Sequence, residues 1–277
     1  MSNLLLRFLT AVVAVPLLIL AINWREPYGV YLWVLAAQIT GLREWMNMTL
    51  PRELPVTRWL GVAVGVGYGA LLCWYPDAQL VLLGLCAVTI IGFLQFLFLH
   101  GAIETVAQRV SMWITGIFYA GILVTPLALF KIRGLQGGGL WIYVCLSSAW
   151  LSDTFAYFAG RFLSRFWGRK LWEAISPKKT MIGGMGGVIG SLVALTIAKV
   201  WYLPFLGWDD VLLIAIPANV LGQLGDLVES LIKRSVGVKD SGVLLPGHGG
   251  MLDRIDALIL VVPYVYAYAQ WRFPLHP

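Results

Sequence analysis

Between Gly225 and Asp256 the chain concentrates acid, base and flexible backbone. It reads Gly-Asp226-Leu-Val-Glu229-Ser230-Leu-Ile-Lys233-Arg234, then Lys239-Asp240-Ser-Gly, Pro246-Gly-His248-Gly249-Gly250 and Asp253-Arg254-Ile-Asp256. On a helix Asp226, Glu229 and Lys233 stand at i, i+3 and i+7 and share one face. Two carboxylates followed by a lysine suit a divalent metal with a phosphate beside it. Hard oxygen ligands hold Mg²⁺, which keeps several waters and takes one or two protein carboxylates plus substrate phosphates. The same spacing also serves a solvated helix end with an internal ion pair. Asp226, however, closes an apolar stretch, where an unpaired charge is costly.

The glycines that follow permit a tight backbone whose N–H groups can approach phosphate oxygens. His248 stands among them, where it can donate to a phosphate or transfer a proton. Asp253 and Asp256 lie at i and i+3 at the start of a helix, near the positive end of its dipole. Asp253 is also suited to capping that helix. Two further carboxylates beside Asp226 would complete a dinuclear metal site of the kind that clamps attacking and leaving oxygens in phosphoryl chemistry.

A second group lies upstream. Asp153 interrupts an apolar helix, with Tyr157 one turn later and Arg161 beyond it, and an intramembrane acid is a candidate site residue by default. It could equally be the buried partner of a nearby arginine. Ser176-Pro-Lys178-Lys179-Thr180 places two lysines and a hydroxyl at the expected start of a helix, where free N–H groups help to hold an anion. The glycines at 183, 186, 187 and 190 have GxxxG-type spacing, for which close helix packing is the expectation. No Walker A or GxGxxG sequence occurs.

These residues must be positioned by a membrane fold. Of 277 residues, 59% are hydrophobic and 12% charged, with net charge +6 and mean hydropathy +0.80. Soluble domains carry roughly 25% charged residues. With about 20 apolar residues needed per crossing, spans are expected near roughly 4–22, 28–42, 59–75, 80–99, 110–130, 139–160, 181–203, 209–229 and 255–273. The expectation is an all-α polytopic protein of about nine spans forming one membrane domain. Residues 1–138 supply N-terminal spans and 139–277 the catalytic half. The first stretch lacks a basic n-region and a cleavage site, so it is expected to be retained.

Cys73, Cys86 and Cys145 all fall in apolar spans without metal-ligand spacing and are expected to be small hydrophobes. Nine spans put 15 lysines and arginines on the face shared by the N-terminus and the even loops, against 4 on the other. The positive-inside rule then makes the even loops, and the charged site at their edge, cytoplasmic. Basic loop residues also attract anionic lipid head groups. They are interleaved with spans and carry no nucleic-acid motif, so nucleic acid is excluded as a partner.

The stretch Ser230-x-x-Lys233-Arg234, Lys239-Asp240, Pro246-x-His248-Gly249-Gly250-x-x-Asp253-Arg254-x-Asp256 resembles the signature of the phosphatidate cytidylyltransferases, or CDP-diacylglycerol synthases. Asp153…Tyr157…Gly160-Arg161, Ser176-Pro-Lys-Lys-Thr180 and Gly225-Asp226…Glu229-Ser230 are also similar to family features. One position departs: Ile182 stands where the family usually has an acid or amide.

The resemblance implies a multi-pass enzyme of the cell membrane, with N-terminus and active site cytoplasmic. It would transfer the cytidylyl group of CTP to phosphatidic acid and release pyrophosphate. It implies Mg²⁺, with room for a second ion such as K⁺, membrane lipids as surroundings and a homodimer as one arrangement. Metal binding falls to Asp226, Glu229, Asp253 and Asp256. Lys233, Arg234, Lys239 and Arg254 would hold phosphates, with Asp240 and His248 also catalytic. Ser230, Gly249, Gly250, Asp153, Lys178, Lys179 and Thr180 would contact substrate. A CTP-dependent kinase acting on a polyprenol or other lipid is the enzymatic alternative. A transporter, which would spread its charges near the midplane, is the non-enzymatic one.

Overall fold

The computed structural model describes residues 3–75, 77–99, 101–242 and 249–274. Ten α-helices account for most of them: α1 Asn3–Asn23, α2 Tyr28–Thr49, α3 Pro55–Trp74, α4 Ala78–Phe98, α5 Val106–Gly116, α6 Pro126–Ile132, α7 Leu140–Leu163, α8 Met181–Ile197, α9 Trp208–Ser235 and α10 Leu252–Arg272. The expected all-α membrane architecture is present, and each expected span falls on helix. Among the described residues five stretches are long and apolar enough to cross a membrane: Pro55–Trp74, Ala78–Phe98, Ile103–Ile132, Met181–Tyr202 and Trp208–Ser235. Helices α2, α7 and α10 have the length but are more polar, because they carry Gln38 and Glu44, Asp153 and Arg161, and Asp253 and Asp256 respectively. α4 exposes Leu82, Leu83, Phe93, Leu97 and Phe98, as a lipid-facing helix does when no partner covers it.

The chain forms two compact units, residues 1–132 with 236–254, and residues 133–235 with 255–277. In the first, α2 packs against α3 and against Ile117–Ile122, a π-helical turn that follows α5. The wider turn and Pro126 interrupt the expected fifth span, and neighbours take up the disturbed backbone groups. Gln38 Nε2 on α2 donates to Gly121 O at 2.6 Å and to Thr125 Oγ1 at 3.0 Å. A Cβ on Gly116 would lie 2.2 Å from Trp45, so glycine is required where that indole seats.

In the second unit α7, α8 and α9 pack together. The glycines of α8 make this possible, as expected from their spacing. A Cβ on Gly190 would lie 2.3 Å from Leu151 O, and one on Gly186 2.9 Å from Phe155 O. Hydroxyls and amides bridge the helices: buried Ser148 with Ser191 at 2.6 Å, buried Ser152 donating to Asn219 Oδ1 at 2.7 Å, and half-buried Gln223 donating to Gly184 O at 3.1 Å. At one end of α9, buried Asp210 accepts from Gly207 N, from Tyr268 Oη at 2.6 Å and from Arg272 Nε at 3.2 Å on α10.

One expectation is corrected here. Lys178 and Lys179 do not start a helix; they lie in a strand, β2 Ser176–Thr180, paired antiparallel with β1 Lys170–Trp172. Pro177 and β-branched Thr180 hold this stretch extended. Thr180 ends it by capping α8, its Oγ1 accepting from Gly183 N at 3.2 Å.

Candidate functional site

A cavity of about 420 Å³ opens in the second unit, among α7, β2, α8 and α9. Asp153, Tyr157 and Arg161 reach it from α7, Lys178 and Lys179 from β2, Gly183 and Gly184 from α8, and Gln223 from α9. The hairpin matters because an extended backbone lets consecutive lysines and a threonine hydroxyl approach the first turn of α8 from outside the helix. A Cβ on Gly184 would lie 2.8 Å from Gln223 Oε1, so the glycines that pack α8 also keep its backbone accessible.

Charge is distributed around this cavity in a definite way. Lys179 Nζ lies 2.7 Å from Asp226 Oδ2, and Ser230 Oγ donates to the other oxygen, Oδ1, at 3.2 Å. Asp153 interacts with the charges of Asp226 and Lys179, and Asp256 with those of Asp226, Asp153 and Lys233. Three carboxylates are thus mutually repelling around one directly paired lysine. α10 approaches α9 closely here, since a Cβ on Gly225 would lie 2.4 Å from Asp256 O. Glu229 is 1% exposed and accepts from Lys233 Nζ at 3.0 Å.

The first unit holds the other part of the signature. Asp253 Oδ2 accepts from Ser241 N at 3.0 Å, Ser241 Oγ at 3.0 Å and Gly250 N at 2.8 Å. Glu44, from α2, accepts from Ser241 Oγ at 3.1 Å, Met251 N at 2.8 Å and Leu252 N at 2.9 Å. A buried carboxylate from a distant helix therefore satisfies N–H groups at the start of α10. Gly249 takes φ +82°, and a Cβ on Gly250 would lie 2.2 Å from Ser241 Oγ and 2.4 Å from Glu44 Oε2. Arg234, Lys239, Asp240 and Arg254 are exposed. His248 and Pro246 lie outside the described residues.

Asp153, Lys178, Lys179 and Thr180 thus converge on one cavity, with Asp226 bound to Lys179 and Asp256 interacting with Asp226. Asp253, Gly250 and Ser241 form a separate hydrogen-bonded knot. Glu44 is the member that sequence reasoning missed. Its signal was available: it is the only acid in α2. Gln223 likewise supplies an amide to the cavity wall from α9.

Among the described residues no three His, Cys, Asp or Glu side chains form a metal cluster. Asp153, Asp226 and Asp256 nonetheless fit Mg²⁺ chemically, because that ion needs only one or two protein carboxylates beside phosphates and water, and their repulsion favours a cation.

Such a fold and cavity define a multi-pass helical membrane protein with a cavity lined by lysines and an arginine. The chain belongs to the cytidylyltransferase family, whose sequence pattern it matches over residues 5–271. It is 36% identical over 273 residues to the phosphatidate cytidylyltransferase of Brucella abortus (strain 2308), covering 97% of this chain and 94% of that one. With the Staphylococcus saprophyticus enzyme of the same name it shares 32% over 268 residues, 93% and 95% of the two chains. Identity to the Bacillus subtilis (strain 168) phosphatidate cytidylyltransferase reaches 47% over 138 residues, 49% of this chain and 50% of that one.

Proposed function

We infer that this protein is a phosphatidate cytidylyltransferase. A phosphate oxygen of phosphatidic acid forms a bond to the α-phosphorus of CTP, the bond from that phosphorus to the α–β bridging oxygen breaks, and pyrophosphate leaves with CDP-diacylglycerol formed. The observation that carries this reading, within the family, is the cavity whose wall presents Lys178, Lys179 and Arg161 beside the Lys179–Asp226 pair. Both reactants are anions, so neutralising charge and aligning oxygens are the main demands on the protein.

Lys178 and Arg161 are suited to phosphate oxygens, and Thr180 and the first turn of α8 to positioning them. Lys179, held by Asp226, is fixed in direction rather than left to sweep solvent. Lys233, Arg234, Lys239 and Arg254 carry the same expectation of phosphate contact from the signature, with Asp240 and His248 as its polar members. Asp226 and Asp256 would hold Mg²⁺, with Asp153 beside them. When bound, the ion neutralises phosphate charge and offsets the repulsion among the carboxylates. The lipid phosphate is already ionised near neutral pH, so no strong base is required.

We place the site on the cytoplasmic side of the cell membrane, where CTP is found, on the strength of the cation asymmetry. The decisive assay supplies phosphatidic acid with CTP labelled at either the α or the γ phosphorus. Transfer of the α label together with cytidine is expected. Transfer of the γ label alone would make the protein a lipid kinase, and no transfer would reject both. Chelating divalent ions should stop turnover and added Mg²⁺ restore it; unchanged turnover in excess chelator would reject the metal.

A further inference from the structure

A second cation-lined pocket lies in the first unit, and none of its lining residues has been assigned a role above. It has a volume of about 150 Å³ and opens between α2 and the first turn of α3. Arg43 and Asn47 reach it from α2, one helical turn apart, and Pro55, Arg58 and Trp59 from α3. Met46 and Val62 form its buried apolar base. The frame is firmly built: Trp113 Nε1 donates to Thr57 O at 3.0 Å, and a Cβ on Gly61 would lie 2.6 Å from Met46 Cε.

Among the described residues no carboxylate forms an ion pair with the pocket's arginines. The Arg43 guanidinium sits over Trp59, 5.3 Å from the ring centroid, and Arg58 Nη1 donates to Asn47 Oδ1 at 3.1 Å. Nearby Arg109, by contrast, pairs with Glu53 at 2.5 Å. α3 also begins without a side-chain cap, so its first N–H groups add to the positive field over Pro55. Two unpaired guanidiniums, an amide and an uncapped helix start are the donors that a phosphate group takes. The volume falls below the roughly 300–1,000 Å³ of sites that enclose whole small molecules, so a phosphate fits and a nucleoside triphosphate does not.

We propose that this pocket binds a phosphate group, presented by an anionic phospholipid of the surrounding membrane or by a soluble phosphate. The apolar surroundings favour the lipid. Leu54, Val56 and Trp59 are 54%, 57% and 51% exposed, and apolar side chains with an indole beside arginines are the pattern of a membrane–water interface. The lipid here is an accessory ligand, separate from the substrate in the α7–α9 cavity.

The test titrates full-length detergent-solubilised protein with phosphatidylglycerol or phosphatidylcholine and counts bound lipid by native mass spectrometry. Arg43→Gln with Arg58→Gln should weaken phosphatidylglycerol binding on the order of tenfold and leave phosphatidylcholine unchanged. Asn47→Asp, which keeps both arginines and places a carboxylate beside Arg58, should weaken it similarly and decides the matter if the double variant does not fold. Excess inorganic phosphate that fails to displace the lipid identifies the lipid as the source; displacement identifies a soluble anion at the same site. Undiminished phosphatidylglycerol binding in Asn47→Asp, or in the folded double variant, overturns the proposal.

Discussion

At the scale of single residues, the Lys179–Asp226 contact joins a charge on a strand to a carboxylate on a helix over 2.7 Å. Its side chains are 25% and 35% exposed, so an isolated pair of this kind contributes little to stability. Its value lies in fixing direction. Replacing Lys179 with Met or Asp226 with Asn should therefore lower CTP-dependent turnover by about 10²–10³-fold, the range for losing one preorganised charge-stabilising group, while thermal unfolding changes little. A variant that turns over at the wild-type rate would remove the pair from the mechanism. Gly250 tests the other cluster. The Cβ of Gly250→Ala would meet Ser241 Oγ and Glu44 Oε2 at 2.2 and 2.4 Å, costing about 1–3 kcal/mol through overpacking. Chemical denaturation would read that loss, and unchanged stability would show that the knot yields freely.

At the scale of elements, the helices were legible because apolar length is written directly into the residues, and the signature was legible because its charges interrupt that apolarity. The β1–β2 hairpin was not. Its strands are three and five residues long, and a basic Ser-Pro-Lys-Lys-Thr stretch before glycines is equally consistent with a helix start. Only the pairing of Lys170 with Thr180 and of Trp172 with Ser176 decides it. Glu44 was hidden for another reason: its partners lie about 200 residues away in sequence, a distance no local spacing reports. The face shared by Glu229 and Lys233 was legible, but its use was not. Spacing alone could not report that the two are buried, Glu229 at 1% and Lys233 at 8% exposed, with Nζ 3.0 Å from Oε2. Lys233→Met alone should destabilise the fold by removing the Nζ that donates to buried Glu229 Oε2 at 3.0 Å, and Glu229→Leu with Lys233→Met should recover most of that loss. Equal losses in the single and double variants would show that the pair is not the origin of the effect.

At the scale of the whole molecule, the distribution of charge predicts orientation. With the expected nine spans, fifteen cations would fall on the even-loop face against four opposite, a bias of the kind that keeps lysines and arginines flanking spans inside. On that topology the cavity residues Lys178 and Lys179 belong to the rich face, and Arg133 to the poor one. A chain with Cys73, Cys86 and Cys145 replaced by alanine gives a background for single cysteines at Lys178 and at Arg133. In intact cells a membrane-impermeant maleimide should label the cysteine at 133 and spare the one at 178; in inverted vesicles the pattern should reverse. Lys178 is suited to this because it is exposed on β2. Labelling of the 178 cysteine from outside intact cells would turn the cavity away from cytoplasmic CTP, and no arrangement of its lysines would then rescue cytidylyl transfer as its function.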